Sequence, residues 1–151
     1  TCCRANAAAP IIQGNSVFIT TGYKHGCALI DVTAKGAKIR WQNINMQSQY
    51  SSPILHDGHV YCTSDPGYLT CLELQTGKVK WRERGFEKGG LAAVDGTLIV
   101  MDGRNGEAAM VRLSPKKYEE LGRIHPLNGE SRTAPVIADG CLLVRNRKAL
   151  A

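Results

Sequence analysis

SSPILHDGHVYCTSDPGYLTCLELQTGKVKW, residues 51–81, contains one complete structural unit. It opens on small residues and Pro53, runs apolar through Ile54-Leu55 and turns at Asp57-Gly58. A second apolar run reaches Cys62, a polar turn with Gly67 follows, and a third run passes through Leu69 to Leu74. A last turn at Gly77 leads into a basic run that ends at Trp81. Short runs rich in β-branched and aromatic residues, bounded by turn dipeptides, predict strands, and helix periodicity is absent.

The same unit recurs on both sides. Residues 8–41 read AAPIIQGNSVFITTGYKHGCALIDVTAKGAKIRW, residues 90–120 read GLAAVDGTLIVMDGRNGEAAMVRLSPKKYEE, and residues 133–151 read TAPVIADGCLLVRNRKALA. Pro10, Pro53 and Pro135 match, as do the turns Gly14-Asn15, Asp57-Gly58, Asp95-Gly96 and Asp139-Gly140. Trp41 and Trp81 stand 40 residues apart; the third copy carries Glu120 where a Trp would align. Four short strands in about 40 residues is the spacing of a β-propeller blade. The expected fold class is therefore all-β: a partial propeller domain over residues 1–151, with blades at about 4–43, 44–84, 85–124 and an incomplete one at 125–151. Three and a half to four blades correspond to half of a seven- or eight-bladed ring. Runs such as Val17-Phe18-Ile19 and Leu98-Ile99-Val100-Met101 suit inner strands covered on both faces by neighbouring blades.

With the strands of a blade named A to D from the centre outward, the turns sort onto two faces. D-to-A links (43–51, 84–90, 125–133) share a face with B-to-C turns (22–26, 65–67, 103–106, 145–148). That face carries His25, Asp65, Lys88, Arg104, Arg132, Arg145 and Arg147, and it is the expected ligand-binding face. Lys88, Arg132 and Arg145 suit a carboxylate or phosphate rim.

Apolar residues make up 43% and charged residues 21% of the 151, an ordinary globular composition. Net charge is +6, but the basic residues are spread along the strands rather than gathered in a patch, which argues against nucleic acid. No apolar run approaches the roughly 20 residues of a membrane span. TCCRANAAAP has no basic stretch followed by an apolar one, so it does not read as a signal peptide. There is no GxSxG, HExxH or P-loop.

At GKVKW (Gly77 to Trp81) and GAKIRW (Gly36 to Trp41) the sequence resembles the pyrroloquinoline-quinone-like (PQQ-like) propeller repeat, with Asp31 and Glu73 in its acid position. ANAAAPII, GYKHGCAL, YSSPILHDGHVY, ERGFEKGGL and VRN extend the likeness, as in the C-terminal half of exported bacterial members. The resemblance implies that Trp41 and Trp81 dock between adjacent blades, with Gly36 and Gly77 as structural turn residues. It also implies a periplasmic or extracellular location in a bacterium. Members include noncatalytic scaffolds and quinone-dependent alcohol dehydrogenases. The expected function is accordingly a noncatalytic scaffold or binding module, recognising a protein or an anionic small molecule on the loop face, with no cofactor. The alternative is part of a PQQ-dependent dehydrogenase. There, by resemblance, adjacent Cys2 and Cys3, with Asn6 nearby, would stack on the quinone, and calcium would be required. The expected partner is a protein or the remaining propeller half, supplied by a longer parent chain or by self-association.

The other cysteines have their own readings. No CxxC or zinc spacing occurs. If Pro66-Gly67 is a two-residue turn, Cys62 lies opposite Cys71, as a cross-strand disulfide or as two buried thiols. Cys27 and Cys141 read as strand-core residues. His56 and His59 flank Asp57-Gly58 as cross-strand neighbours without a third ligand, so no metal site is expected.

Overall fold

The structure, a computed structural model, describes residues 7–151. Its first sheet joins β1 (Ile11–Gln13), β2 (Ser16–Thr21), β3 (Gly26–Thr33) and β4 (Gly36–Asn43) in sequence order. The second joins β5 (Ile54–His56), β6 (His59–Ser64), β7 (Tyr68–Glu73) and β8 (Val79–Arg84) in the same way. The third is β9 (Leu91–Val94), β10 (Thr97–Met101), β11 (Ala108–Arg112) and β12 (Glu120–Ile124). A fourth holds β13 (Val136–Ala138) and β14 (Cys141–Leu143), followed by an isolated bridge from Arg145 to Leu150. All pairings are antiparallel, so the chain is an open, partial propeller of three four-stranded blades and an incomplete one.

Local chemistry explains the hairpins. Asp57, Asp95 and Asp139 have φ of 45°, 47° and 49°, each followed by a Gly with φ of 71° to 74°. Two successive positive φ angles define the turn whose twist matches a tight hairpin, and Asp-Gly adopts it readily. The core lies between blades. Phe18, Val60, Leu69, Leu72, Phe86, Leu98 and Val100 are fully buried.

The tryptophans cross from one blade to the next. Trp41 Nε1 donates to Leu74 O at 3.0 Å, and Trp81 Nε1 donates to Ser114 O at 2.8 Å. The Trp41 ring lies where a Cβ on Gly77 would be, 2.7 Å from such an atom, so only glycine leaves room for it. Asn43 and Asn45 Nδ2 both donate to Gly77 O, at 3.1 and 2.8 Å. Gly36 has φ +128° and no neighbour within 4 Å of a Cβ; by register Ala37, opposite Val32, holds the place of Gly77.

The third copy differs from the expected alignment. Leu29 pairs with Trp41 and Cys71 with Trp81, each beside a β-bulge. The matching bulge in blade 3 lies after Met110, whose partner is Gly122. Gly122, not Glu120, therefore occupies the tryptophan position, and blade 3 sends no indole forward.

Two cysteine expectations are also corrected. Ser64 pairs with Tyr68, so the turn is three residues long and Tyr61, not Cys62, faces Cys71. Side chains alternate along a strand, so Cys62 and Cys71 lie on opposite sides of the sheet and cannot be bridged; both are buried and free. Cys27 is buried as expected, but Cys141 is exposed because the incomplete fourth blade leaves β14 uncovered. Burial pushes the thiols of Cys27, Cys62 and Cys71 up from the ordinary 9.0 to about 11. Two outcomes follow. With maleimide at pH 8, Cys141 is expected to react first of the four, whereas fast reaction of Cys62 would contradict its burial. The native state also keeps these thiols protonated where the unfolded chain ionises. Stability present below pH 9.0 is therefore lost as pH climbs toward about 11, which urea melts across that window would register.

Candidate binding face

The D-to-A links and B-to-C turns interlock on one face through their backbones. Asp65 N donates to Gln47 O, Phe86 N to Gly67 O, Ser131 N to Gly103 O and Gly129 N to Asn105 O. Side chains near the ends of β2 and β6 finish the lock. Thr20 Oγ1 donates to Met46 O, Thr63 Oγ1 to Gly89 O, and Ser64 Oγ accepts from Gln47 N at 2.8 Å. The ERGFEKGGL stretch is glycine-rich because the chains touch there. A Cβ on Gly89 would lie 1.8 Å from Met101 O, and one on Gly103 would lie 2.1 Å from Glu87 O.

A cleft of about 470 Å³ opens among these loops, lined by Tyr23, Lys24, Asp65, Glu87 and Lys88 with Gln47 and Pro66-Gly67. Gln49 Nε2 donates to Asp65 Oδ2 at 2.9 Å and fixes that carboxylate. Two ammonium and two carboxylate groups thus surround an exposed phenol. Among the described residues, the non-glycine residues with positive φ outside the Asp-Gly hairpins are Tyr23 (57°), Lys24 (66°) and Lys88 (47°). All three line this cleft. Such backbone costs of order 1–3 kcal/mol per residue and persists where the surroundings enforce it, most often at ligand sites.

The basic residues expected on this face are only partly gathered. Lys88, Arg104 and Arg132 surround a small hollow beside the cleft, together with Glu87 and Glu130. Arg104 is not a bare cation: it lies 3.9 Å from Glu87 and 3.6 Å from Asp102. Asp102 is 2% exposed, and its Oδ1 accepts from the backbone N–H groups of Glu87 and Arg104 at 3.2 and 3.1 Å. Arg132 pairs with Glu130 at 3.0 Å and stacks over the Tyr50 ring at 5.7 Å. Arg145 is exposed; its carbonyl, rather than its guanidinium, is engaged locally, accepting from Ser131 and Thr133. His25 is separate from this group and lines a second hollow of about 360 Å³ beside Ile19 and Ala28 on blade 1. Sequence reasoning found the cations and missed their counter-ions Glu87, Asp102 and Glu130, and missed Tyr23 and Lys24. Those two lay within a turn already assigned to this face.

The profile of the family described as outer membrane protein assembly factor BamB matches residues 2–83, more than half of the chain. The chain belongs to this PQQ-like repeat family. No curated protein sequence matches it. Among solved structures, BamB from Moraxella catarrhalis superposes with a TM-score of 0.73 at 14% identity, over 96% of this chain and 42% of that one. Quinohemoprotein alcohol dehydrogenase from Comamonas testosteroni gives 0.62 at 17% identity, over 80% of this chain and 21% of that one. The computationally designed Ika4 protein gives 0.72 at 14% identity, over 98% of this chain and 90% of that one. These likenesses establish the fold. The chain spans less than half the length of the BamB and dehydrogenase chains.

Among the described residues, no group of three or more His, Cys, Asp or Glu side chains is placed to hold a metal ion. Cys2, Cys3 and Asn6 lie outside the described residues. No helix is long and apolar enough to cross a membrane.

Proposed function

We propose that the chain is part of a noncatalytic BamB-type scaffold that recognises a protein partner through the D–A/B–C loop face, centred on the Tyr23–Lys88 cleft. One observation carries the reading: the three strained non-glycine residues, drawn from two blades, converge on one cleft. Tyr23 and Lys24 take the two central positive-φ places of the β2–β3 hairpin turn, closed by His25 N donating to Gly22 O at 3.3 Å, without the Gly, Asn or Asp that such a turn prefers, so holding them and Lys88 at the cleft costs conformational energy. The mixed charge of the rim favours a polypeptide over a simple anion, because Arg104 and Arg132 are already neutralised locally. Lys88, Arg104 and Arg132 then act as polar rim around Tyr23, an arrangement typical of protein interfaces. His25 and Arg145 fall at its margins. The family's description supports a role in outer-membrane protein assembly, and hence a periplasmic location. Within this scaffold, Trp41 and Trp81 serve as docking residues between blades, and the remaining propeller half is a further partner.

A photo-crosslinking residue at position 23 in a bacterium expressing the protein is expected to give one discrete protein adduct. The same residue at position 95, in a hairpin turn on the opposite face, is expected to give none. Equal adducts at both positions, or none at 23, would remove the loop-face assignment. Reduction of an artificial electron acceptor on addition of quinone and calcium would instead favour the dehydrogenase reading.

A further inference from the structure

A further hollow, of about 240 Å³, is lined by Arg84, Gly85 and Arg104, and shares Pro66, Gly67 and Glu87 with the Tyr23–Lys88 cleft. The end of β8 brings Arg84 there, and the B-to-C turn of blade 3 brings Arg104. The link after β8 is held against the Pro66-Gly67 turn, because Gly85 N and Phe86 N both donate to Gly67 O, at 3.1 and 3.3 Å. Gly85 has φ +100° and nothing within 4 Å of a Cβ, so the space beside Arg84 is open at that point.

Arg84 differs from the paired arginines of this face. Arg104 lies beside Glu87 and Asp102, and Arg132 beside Glu130. Among the described residues, no carboxylate is within ion-pair distance of Arg84. Glu87 is the acid that lines the hollow, but it is turned to Arg104 Nη1 at 3.9 Å and packs on Gly67, where a Cβ would lie 3.0 Å from its Cγ. Arg84 Nε donates to Tyr68 Oη at 2.9 Å, and Arg84 Cζ lies 5.2 Å from the centroid of the Tyr68 ring. The tyrosine thus holds the guanidinium in place while engaging one of its five N–H donors. The two Nη groups are left, and their spacing matches the two oxygens of a carboxylate.

We propose that this hollow is a carboxylate subsite of the loop face, in which Arg84, held by Tyr68, pairs with an acidic group of the polypeptide bound in the cleft. The proposal rests on the loop-face reading above and names the partner chemistry that reading leaves open. The shared lining at Pro66, Gly67 and Glu87 ties the carboxylate to a polypeptide, since one extended segment can lie in the cleft and reach Arg84 over the same turn. A polypeptide carries the group on an Asp or Glu side chain or at its C-terminus, and the same fork takes either. Phosphate suits the hollow less well, because the charge of Arg104 is already met by Asp102 and Glu87.

The test follows the Nε–Hε resonance of Arg84, identified by its loss in Arg84→Lys. Acetyl-Gly-Glu-Gly-amide, or acetyl-Gly-Gly-Gly with a free C-terminal carboxylate, is expected to shift it saturably. Acetyl-Gly-Gln-Gly-amide is expected to shift it about tenfold less, for want of the charge. Whichever carboxylate peptide acts at lower concentration identifies the side-chain or the terminal source. Equal shifts with the Glu and Gln peptides, no shift with either carboxylate peptide, or a shift with inorganic phosphate alone overturns the proposal. In the bacterium, Arg84→Gln is expected to lower the adduct formed from position 23 by about tenfold, the scale of one hydrogen-bonded charge. Arg84→Lys is expected to lower it less, and Lys80→Gln in the same strand to leave it unchanged. A full adduct with Arg84→Gln overturns the proposal. If position 23 gives no adduct in the unmodified chain, the loop-face reading fails by itself, and the titration still decides whether Arg84 takes a carboxylate.

Discussion

Replacing Trp81 with alanine is expected to lower the unfolding free energy by about 3–5 kcal/mol, the usual range for deleting a large aromatic from a core. Trp81 is 9% exposed and sits between Tyr61 and Tyr118, with ring centroids 5.9 and 5.8 Å away. Its N–H is satisfied by Ser114 O in the next blade. Truncation therefore opens a cavity and frees a carbonyl on blade 3 at the same time. Trp41→Ala should cost less, because Trp41 is only half-buried and contacts Phe18 at 6.0 Å without a second aromatic shelf. Urea midpoints for the two variants test the ordering. A Trp81→Ala chain that melts with the parent would mean that the seam contributes nothing to stability.

Gly89→Ala is expected to be comparably damaging, at about 3 kcal/mol or more. Overpacking usually costs 1–3 kcal/mol, but here the obstacle is backbone. The added methyl would lie 1.8 Å from Met101 O and 2.5 Å from Met101 C, and neither atom can rotate away. The link must shift, taking Glu87 and Lys88 with it and distorting the cleft that Lys88 lines. Gly122→Ala is the matched control. Its Cβ meets only the flexible end of Met110 at 3.0 Å, so its expected cost is under about 1 kcal/mol on ordinary strand preferences. Thermal melts of the two variants that moved equally would refute the argument from close approach.

The blades were readable from sequence because each is punctuated by residues with a single geometric use. Asp-Gly pairs marked the hairpins, and a basic run closing on Trp marked two outer strands. What failed were assignments that depended on counting through irregular places. Three residues, not two, make the Asp65–Gly67 turn, and this separates Cys62 from Cys71. The link between β11 and β12 carries Lys116-Lys117-Tyr118, and its extra length moves the tryptophan position from Glu120 to Gly122. Cys141 followed the strand pattern but has no covering strands. The cleft was half-legible for a related reason. Cations in loops can be seen in a sequence, whereas Tyr23 and Lys24, at the centre of the β2–β3 turn, and Lys88 take positive φ without the Gly, Asn or Asp that usually marks it. Asp102 likewise reads as a turn residue until its burial and two backbone donors are known.

The forward reach of each tryptophan has a consequence during synthesis. Both seam hydrogen bonds close over 33 residues, from Trp41 to Leu74 and from Trp81 to Ser114. A ribosome adding about 5–20 residues per second delivers each acceptor roughly 2–7 s after its indole. Every blade therefore waits, with its aromatic anchor uncovered, for the next to emerge, and assembly runs in one direction. The interval before each docking is when a nascent chain is most exposed to wrong partners. Blade 3, with Gly122 at that position, leaves no indole waiting.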